Sequence, residues 1–326
     1  MNKLTSAAIE RLKIFGECFV AHPEATKIFN DFDELRFNQQ FLSDQQCMLL
    51  TGETGVGKSC LLNEYKKRNL AELNSNYDAV PVLITKISSN KGLDSTLTQI
   101  LSDLELFGSE QRKKRGYRVD LSKKVVNSLK RAKVELLFIN EFHDLIKFKS
   151  TQDRQIISSA LKFISEEANI PIVLVGMPWI SQTAEDHEWA SRLVRRRELK
   201  YFSIAKDGKY FRQYLLSLSK FMPFDEPPIL HTKEVVLPLF AICRGENRSL
   251  KHFLYEACKG ALLAQEAGLS KNRFIQTYEK LGYEHLKENP FKVRLEEIKL
   301  SELVTNSKYN PNAFSEDETI IARKFS

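Results

Sequence analysis

The spacing of apolar positions changes along the chain. Near the N-terminus they recur at helical intervals, as in Ile9, Leu12 and Phe15, until His22-Pro23 interrupts them. From residue 46 short apolar runs alternate with amphipathic stretches, and after Asp207 only helical spacing remains. Short buried strands that alternate with helices indicate a parallel sheet covered on both faces. The pattern therefore predicts an α/β core followed by a helical subdomain.

The predicted elements follow from this pattern. The strands are expected at residues 47–50, 80–84, 135–139 and 170–175. The helices between and after them are expected at residues 59–69, 93–104, 119–131, 153–168, 210–221, 233–243, 249–266 and 271–281. Two further amphipathic helices are expected within residues 1–45.

A glycine-rich segment follows the first predicted strand and precedes a helix. Its letters, GETGVGKS at residues 52–59, match the phosphate-loop pattern G-x-x-x-x-G-K-[ST] at every defined position. Gly52 and Gly57 let the backbone curl so that its N–H groups face phosphate oxygens. Lys58 is expected to reach the β- and γ-phosphates of ATP, and the Ser59 hydroxyl to ligate Mg²⁺. The other predicted nucleotide contacts in this segment are Glu53, Thr54, Gly55, Val56 and Cys60. The segment thus predicts a P-loop ATPase.

The second half of such a site is an apolar strand that ends in acids. The run at residues 136–139 has this character, but Asn140 stands where an aspartate is expected. An asparagine can hydrogen-bond a metal-bound water without adding negative charge, so weaker Mg²⁺ affinity or slower hydrolysis is expected. Glu141 is the candidate that polarises the attacking water, and the alternative is a solvent-facing acid after a strand.

Several blocks together resemble the TniB/TnsC family of transposition AAA+ ATPases. The specific ones are LLFINEFHDL at residues 136–145 and IPIVLVG at residues 170–176. LKFI at 161–164, DHEWASRL at 186–193 and the His22-Pro23 element also fit, so the resemblance covers roughly residues 8–265.

The resemblance implies an α/β fold with an AAA+ P-loop sheet core and a C-terminal helical lid. We expect an N-terminal helical segment over residues 1–45, the nucleotide-binding core over 46–205, the lid over 206–283 and an extended tail over 284–326. Family members form rings or helical filaments around duplex DNA. They recruit a transposase and link it to a target-selection protein, and ATP controls assembly and release.

The resemblance also assigns roles to individual residues. Arg192 matches the arginine finger that reaches the γ-phosphate of a neighbouring subunit. Arg248, within the block GENR at residues 245–248, matches the lid arginine that contacts phosphate; alternatively Asn247 is the N-cap of an ordinary helix. Met177 stands where the family has a polar residue after the fourth strand. With Asn140, it suggests slow hydrolysis or a nucleotide-gated scaffold.

Positive charge clusters in two places. The first cluster, expected within two helical turns of Arg192, consists of Arg195, Arg196 and Arg197. These arginines would substitute for Arg192, contact DNA or form a solvated basic face. A second cluster, followed by Gly-Tyr-Arg, consists of Arg112, Lys113, Lys114 and Arg115. Together with Lys86 and Lys91 it would contact DNA phosphates without reading sequence, or be an ordinary charged loop. The formal net charge of +7 agrees with a polyanionic partner without requiring one.

Other function classes remain as alternatives. A helicase loader or replication initiator is the runner-up, although the tail is too short for an appended DNA-binding domain. A signalling NTPase without DNA binding is the third reading, and a small-molecule kinase the least favoured. We interpret His143 as structural, and the five scattered cysteines, with Cys47 and Cys60 in apolar stretches, predict neither disulfides nor a zinc site. The absence of a long apolar run predicts no membrane association and a place in the bacterial cytosol.

Overall fold

The computed structural model describes residues 4–21, 23–41, 45–71, 79–87, 92–104, 121–147, 149–185, 187–283, 285–303 and 318–320. The chain forms two compact units. One comprises Met1–His22, Thr54–Gly57 and Lys200–Ser326, and the other comprises Pro23–Glu53 and Lys58–Leu199. The first two helices, α1 (Ser6–Glu17) and α2 (Pro23–Asn38), therefore belong to different units, although both fall in the segment predicted as N-terminal.

The second unit contains a parallel sheet of five strands. These are β1 (Cys47–Gly52), β2 (Val82–Lys86), β3 (Leu136–Asn140), β4 (Ile172–Gly176) and β5 (Leu193–Leu199). Their order is β2-β3-β4-β1-β5, and every neighbouring pair is parallel. The side chains of β1, β3 and β4 are buried along their whole length, as the near-continuous apolar runs predict. The predicted parallel sheet is confirmed.

The arginine run at residues 195–197 lies in strand β5, so the prediction of a helix there is wrong. Its residues alternate between the two faces of an edge strand, and Arg195 and Arg197 share one face. Both pair with Asp31 of α2, and Arg195 also pairs with Glu34. Because ion pairs rather than apolar contacts cover this face, the strand carries no apolar alternation that a sequence pattern would detect.

Helices and one aromatic cluster cover the sheet. The helices of this unit after α2 are α3 (Lys58–Ala71), α4 (Leu93–Asp103), α5 (Leu121–Arg131), α6 (Phe142–Ile146), α7 (Thr151–Ala168) and α8 (His187–Ala190), with a 3₁₀ helix at Pro178–Glu185. Phe32 of α2 packs edge-on against Phe138 of β3 with ring centroids 4.8 Å apart, and Tyr65 of α3 joins them. These contacts place α3, and therefore the end of the phosphate loop, firmly on the sheet.

The first unit is helical. It contains α1 together with α9 (Ile204–Ser219), α10 (Lys233–Cys243), α11 (Asn247–Leu263) and α12 (Lys271–Leu281). Helix α1 packs on α11, and Leu12 and Phe15 enter the same apolar core as Phe253. The bounds predicted for α10 and α12 are confirmed to the residue.

The described part of the predicted extended tail is packed instead. Phe291 stacks on Phe274 of α12 with ring centroids 4.9 Å apart, and Ile298 and Leu300 are buried in the same core. These apolar residues lack helical or strand periodicity, which is why the pattern did not reveal them. Beyond them, β6 (Ser301–Leu303) pairs antiparallel with β7 (Glu318–Ile320).

Two general expectations concern cysteines and membranes. The five cysteines are free, but Cys60 is exposed, contrary to the prediction that it lies in the core. Burial was predicted from apolar neighbours, whereas the helical turn of α3 directs Leu61 and Leu62 inward and Cys60 outward. Within the described ranges, none of the helices combines the length and apolar character needed to cross a membrane.

Candidate functional site

The phosphate loop begins where β1 ends at Gly52 and finishes where α3 begins at Lys58. The Lys58 side chain is only 7% exposed. Its Nζ donates to the backbone carbonyls of Gly52, at 2.6 Å, and Glu53, at 3.0 Å. The ammonium is thus held against the loop's own backbone.

The tip of the loop requires glycine. Gly55 has φ +85° and Gly57 has φ +104°, conformations that L side chains rarely adopt. Within the helical unit, the Tyr201 hydroxyl donates to the Thr54 carbonyl at 2.8 Å, and the Arg248 backbone N–H donates to the Gly55 carbonyl at 3.1 Å. The loop tip is therefore fixed from outside as well as by its own turns.

The N-terminus of α11 differs from the predicted cap. Glu246, not Asn247, is the N-cap, and its side chain makes no capping hydrogen bond. Asn247 instead accepts from the Tyr214 hydroxyl at 2.6 Å. The Glu246 carboxylate lies against Gly55: a Cβ there would come within 2.9 Å of Glu246 Cδ and closer still to Oε1. Burial raises the pKa of Glu246, while Arg248 and Arg244 oppose that rise.

The carboxyl end of β3 brings Asn140 next to the phosphate loop's serine. Asn140 Nδ2 donates to Ser59 Oγ at 3.3 Å, and Asn140 Oδ1 accepts from the Glu141 backbone N–H at 3.1 Å. The amide oxygen therefore faces the chain's own backbone, and the amide nitrogen faces the hydroxyl. An aspartate at this position would instead accept from Ser59 and add a negative charge.

Glu141 takes a left-handed backbone conformation with φ +61° and ψ +36°. For a residue with a side chain this conformation costs about 1–2 kcal/mol. It turns the chain sharply after β3, so that Glu141 Oε2 lies 3.4 Å from His143 Nδ1. Strained backbone of this kind concentrates at functional sites, which supports the choice of Glu141.

His143 was interpreted from sequence as structural, yet it lies beside the candidate base. Its Nε2 is 3.8 Å from Asp144 Oδ1, and its ring meets Trp179 edge-on. Burial is the main cause that lowers the pKa of His143; Lys58 and Lys147 lower it further, whereas Glu141 and Asp144 raise it. The signal available in the sequence was its place two residues after Glu141, which carries no meaning until the turn at Glu141 is known.

The residues fit a magnesium ion held mainly by phosphate oxygens and water. Among the described residues, no group of three or more His, Cys, Asp or Glu side chains is arranged to hold a metal. Ser59, exposed at the start of α3, offers one hydroxyl oxygen beside Asn140. Mg²⁺ commonly keeps several waters and takes few protein ligands, so such a sparse donor set suffices.

The remaining candidates are placed as follows. Arg192 forms an ion pair with Glu166 of α7 in the same chain. Arg248 is exposed at the start of α11, and Met177 is buried after β4. Lys86, at the end of β2, is exposed. The candidates Lys91, Arg112, Lys113, Lys114 and Arg115 lie outside the described residues.

Known proteins of similar fold were found among solved structures. ORC2 of Aeropyrum pernix, in ADPNP–ADP complexes, has a TM-score of 0.59 at 16% identity, covering 82% of this chain and 71% of that one. Cdc6p of Pyrobaculum aerophilum has 0.58 at 13%, covering 83% and 71%. ORC1 of Aeropyrum pernix in complex with DNA has 0.56 at 15%, covering 80% and 66%. At these identities the likeness concerns the fold, which is the AAA+ fold.

Sequence comparison gives the family. No curated protein matches the chain at a significant level. A family model described as bacterial TniB protein matches residues 11–202, well over half of the 326 residues, and takes in both the phosphate loop and the Asn140–Asp144 region. The chain therefore belongs to the TniB family.

Proposed function

We propose that this protein is an ATP-dependent regulator of DNA transposition. In this proposal it binds ATP and Mg²⁺, assembles as a ring or helical filament on duplex target DNA, and links a target-selection protein to a transposase. Membership of the TniB family and the AAA+ fold support it. The single observation that carries the nucleotide part is the buried Lys58, held by the carbonyls of Gly52 and Glu53 inside a complete phosphate-loop motif.

The proposed chemistry divides between backbone and side chains. The loop's N–H groups and Lys58 bind the phosphates, with Glu53, Thr54, Val56 and Cys60 lining the segment. Ser59 would ligate Mg²⁺, which neutralises phosphate charge when bound, and Asn140 would accept a hydrogen bond from a metal-bound water once its amide oxygen leaves the Glu141 N–H. Glu141 would take a proton from water as the water oxygen attacks the γ-phosphorus and the bond to the β-phosphate oxygen breaks, leaving ADP and phosphate.

Slow turnover is part of the proposal. Asn140 brings no charge to the metal side of the site and donates to Ser59 Oγ at 3.3 Å. Met177, the residue after β4, has a thioether that is a weak hydrogen-bond acceptor and no donor. An ATPase with these two positions altered would stay bound to ATP for long periods, which suits a nucleotide-gated assembly.

Assembly would use Arg192 as a finger toward a neighbouring copy. Its guanidinium is paired with Glu166, so reaching another subunit's phosphate requires that this pair open. We expect Arg192→Ala to retain nucleotide affinity and lose ATP-dependent assembly, and Glu166→Gln, which only releases the arginine, to retain assembly. If Arg192→Ala assembles normally, the finger lies elsewhere.

Two other functions are compared with this one, and only the first has an observation in its favour. The fold likeness to ORC and Cdc6 proteins favours a DNA-linked initiator or helicase loader as the second candidate. A nucleotide-dependent sensor without DNA binding is the third. The basic residues Lys91 and Arg112–Arg115 separate these readings, because only DNA-bound proteins require phosphate contacts of this kind.

The deciding experiment measures duplex-DNA binding and particle size with no nucleotide, with ADP and with a slowly hydrolysed ATP analogue, across a salt series. The test variant carries alanine in place of Arg112, Lys113, Lys114 and Arg115. The control variant carries alanine in place of Lys130 and Arg131, which are exposed on α5. We expect ATP-dependent rings or filaments on DNA, with affinity that falls as salt rises and a shallower salt slope only in the first variant.

The outcomes separate the candidates. Nucleotide binding without any DNA association would exclude transposition regulation and leave the sensor. DNA-bound assembly that fails to recruit a transposase when a target-selection protein is supplied would favour the initiator or loader.

A further inference from the structure

The imidazole of His143 contains a buried polar atom that the fold does not satisfy. The side chain is 17% exposed, and Nδ1 has no hydrogen-bond partner in the part of the chain that the structure describes. Leaving a buried donor or acceptor unpaired costs about 1–3 kcal/mol, and such atoms are few in folded proteins. A neutral aromatic side chain would fill this space without that cost, so the nitrogen requires an explanation.

The charged group nearest to this nitrogen is the carboxylate of the proposed catalytic base. Glu141 Oε2 lies 3.4 Å from His143 Nδ1, just beyond the usual N–H···O range. A small side-chain rotation would close this gap. The other ring nitrogen is farther from its acid, 3.8 Å from Asp144 Oδ1. The pairing of Nδ1 with Glu141 is therefore the one that the geometry prepares.

The surrounding backbone admits the imidazole at this position. A Cβ on Gly176, the last residue of β4, would lie 3.2 Å from both the backbone N and Nδ1 of His143. It would also lie 2.9 Å from Cδ1 of Ile180, so any larger residue would displace the ring or its support. Trp179 closes the other side edge-on, with ring centroids 6.2 Å apart. Strand β4 and the 3₁₀ helix that follows it thus position one imidazole beside Glu141.

We propose that His143 is a positioning residue for ATP hydrolysis: its Nδ1–H donates to the Glu141 carboxylate and holds it where it accepts the proton of the attacking water. This role rests on the proposed hydrolysis of ATP by this site. Met177, the residue after β4, offers no hydrogen-bond donor to the site. In this proposal His143, in the segment after β3, provides the polar group instead.

The test compares two substitutions that separate hydrogen bonding from packing. His143→Asn retains a donor near the Nδ1 position but loses the ring, whereas His143→Phe retains the ring against Trp179 and loses both nitrogens. We expect His143→Phe to lower kcat about tenfold while KM and the ATP dissociation constant stay within about twofold, because misplacing a base slows only the chemical step. His143→Asn should keep kcat within about threefold.

A double variant tests whether the effect passes through Glu141. Glu141→Gln replaces the carboxylate by an amide, which cannot accept the proton of the attacking water. Adding His143→Phe to this variant should therefore reduce the residual rate by less than about twofold. Retained ATP affinity in each variant shows that the fold and the phosphate loop are intact.

The outcomes are distinguishable from failure of the proposed function. If the wild-type protein does not hydrolyse ATP, the proposed hydrolysis and this inference fall together. If it does, and His143→Phe is fully active while His143→Asn is not, the residue only packs and this inference alone is overturned. A further loss of about tenfold in the Glu141→Gln background would also overturn it.

Discussion

The phosphate loop and the carboxyl end of β3 serve the same candidate site, but they depart from expectation to different degrees. In the loop, every motif residue is present, Lys58 donates to the loop's own backbone, and Gly55 and Gly57 take positive φ angles. At the end of β3, Asn140 replaces an acid and donates to Ser59, and Glu141 is held in a strained turn beside His143.

This difference suggests that, in the proposed function, nucleotide binding and turnover rest on separate parts of the chain. Phosphate binding uses backbone N–H groups and one lysine, so it survives changes in neighbouring side chains. The proposed hydrolysis needs a precisely placed carboxylate at Glu141, and the proposed roles of Asn140 and His143 both bear on that placement. A protein whose assembly is controlled by bound ATP needs the phosphate loop to bind tightly. It does not need the end of β3 to support fast hydrolysis.

The largest effect is expected from Lys58→Ala. It removes a buried ammonium from the loop, and charge-assisted hydrogen bonds to phosphates are each worth about 1.5–3 kcal/mol, so ATP affinity should fall at least about 100-fold. Equilibrium binding of a fluorescent ATP analogue measures this. Lys67→Ala, exposed on the same helix, is the matched control and should bind normally. Unchanged affinity in Lys58→Ala would mean that the phosphate loop does not bind the nucleotide.

A smaller loss is expected from Gly55→Ala. Its φ of +85° costs an alanine about 1–2 kcal/mol, and the new Cβ would overlap the Glu246 carboxylate. We expect ATP affinity to fall about tenfold, measured by the same titration. Gly268→Ala is the control, because nothing lies within 4 Å of a Cβ there. Equal affinities for the two variants would mean that the loop tip is not fixed when nucleotide binds.

Local chemistry was the part of the site that sequence could predict. The phosphate loop depends on residues adjacent in the chain, and its glycines, lysine and following helix specify one another. Four of the five strands were predicted for a similar reason, since continuous apolar runs mark buried strands without knowledge of their neighbours. The same applies to α10 and α12, whose periodic faces ended where predicted.

Features that depend on distant residues were not predictable. Strand β5 is stabilised by pairs such as Arg197 with Asp31, whose two members are 166 positions apart. The cap of α11 was misassigned because Asn247 has its partner in Tyr214, another helix. The place of His143 depends on the turn at Glu141 and on the missing side chain of Gly176, neither of which a spacing pattern contains.

A gain of hydrolysis, rather than a loss, is expected from Asn140→Asp. The carboxylate would accept from Ser59 and add negative charge beside the proposed Mg²⁺, so kcat should rise about three- to tenfold at limiting Mg²⁺. ATP turnover measured over a Mg²⁺ titration tests this. Asn127→Asp, which adds the same charge at an exposed position on α5, controls for net charge. No increase would mean that Asn140 does not limit turnover, and that the two regions differ for another reason.

The smallest effect is expected from Glu246→Gln, which probes a negative charge beside the loop. The carboxylate lies against Gly55 without capping α11, so when ionised it repels phosphate; its neutralisation should tighten ATP binding about two- to fivefold. Because burial raises the pKa of Glu246, the wild-type side chain takes up its proton at a higher pH than an ordinary glutamate does.

The advantage of Glu246→Gln should therefore be largest at high pH, where the wild-type carboxylate is ionised, and shrink as the pH falls and that carboxylate takes up its proton. The exposed variant Glu226→Gln should show no such trend. Because both proteins bind the same nucleotide, the ratio of their affinities cancels the titration of ATP itself. A ratio that stays constant with pH would show that the charge of Glu246 does not act on the bound nucleotide.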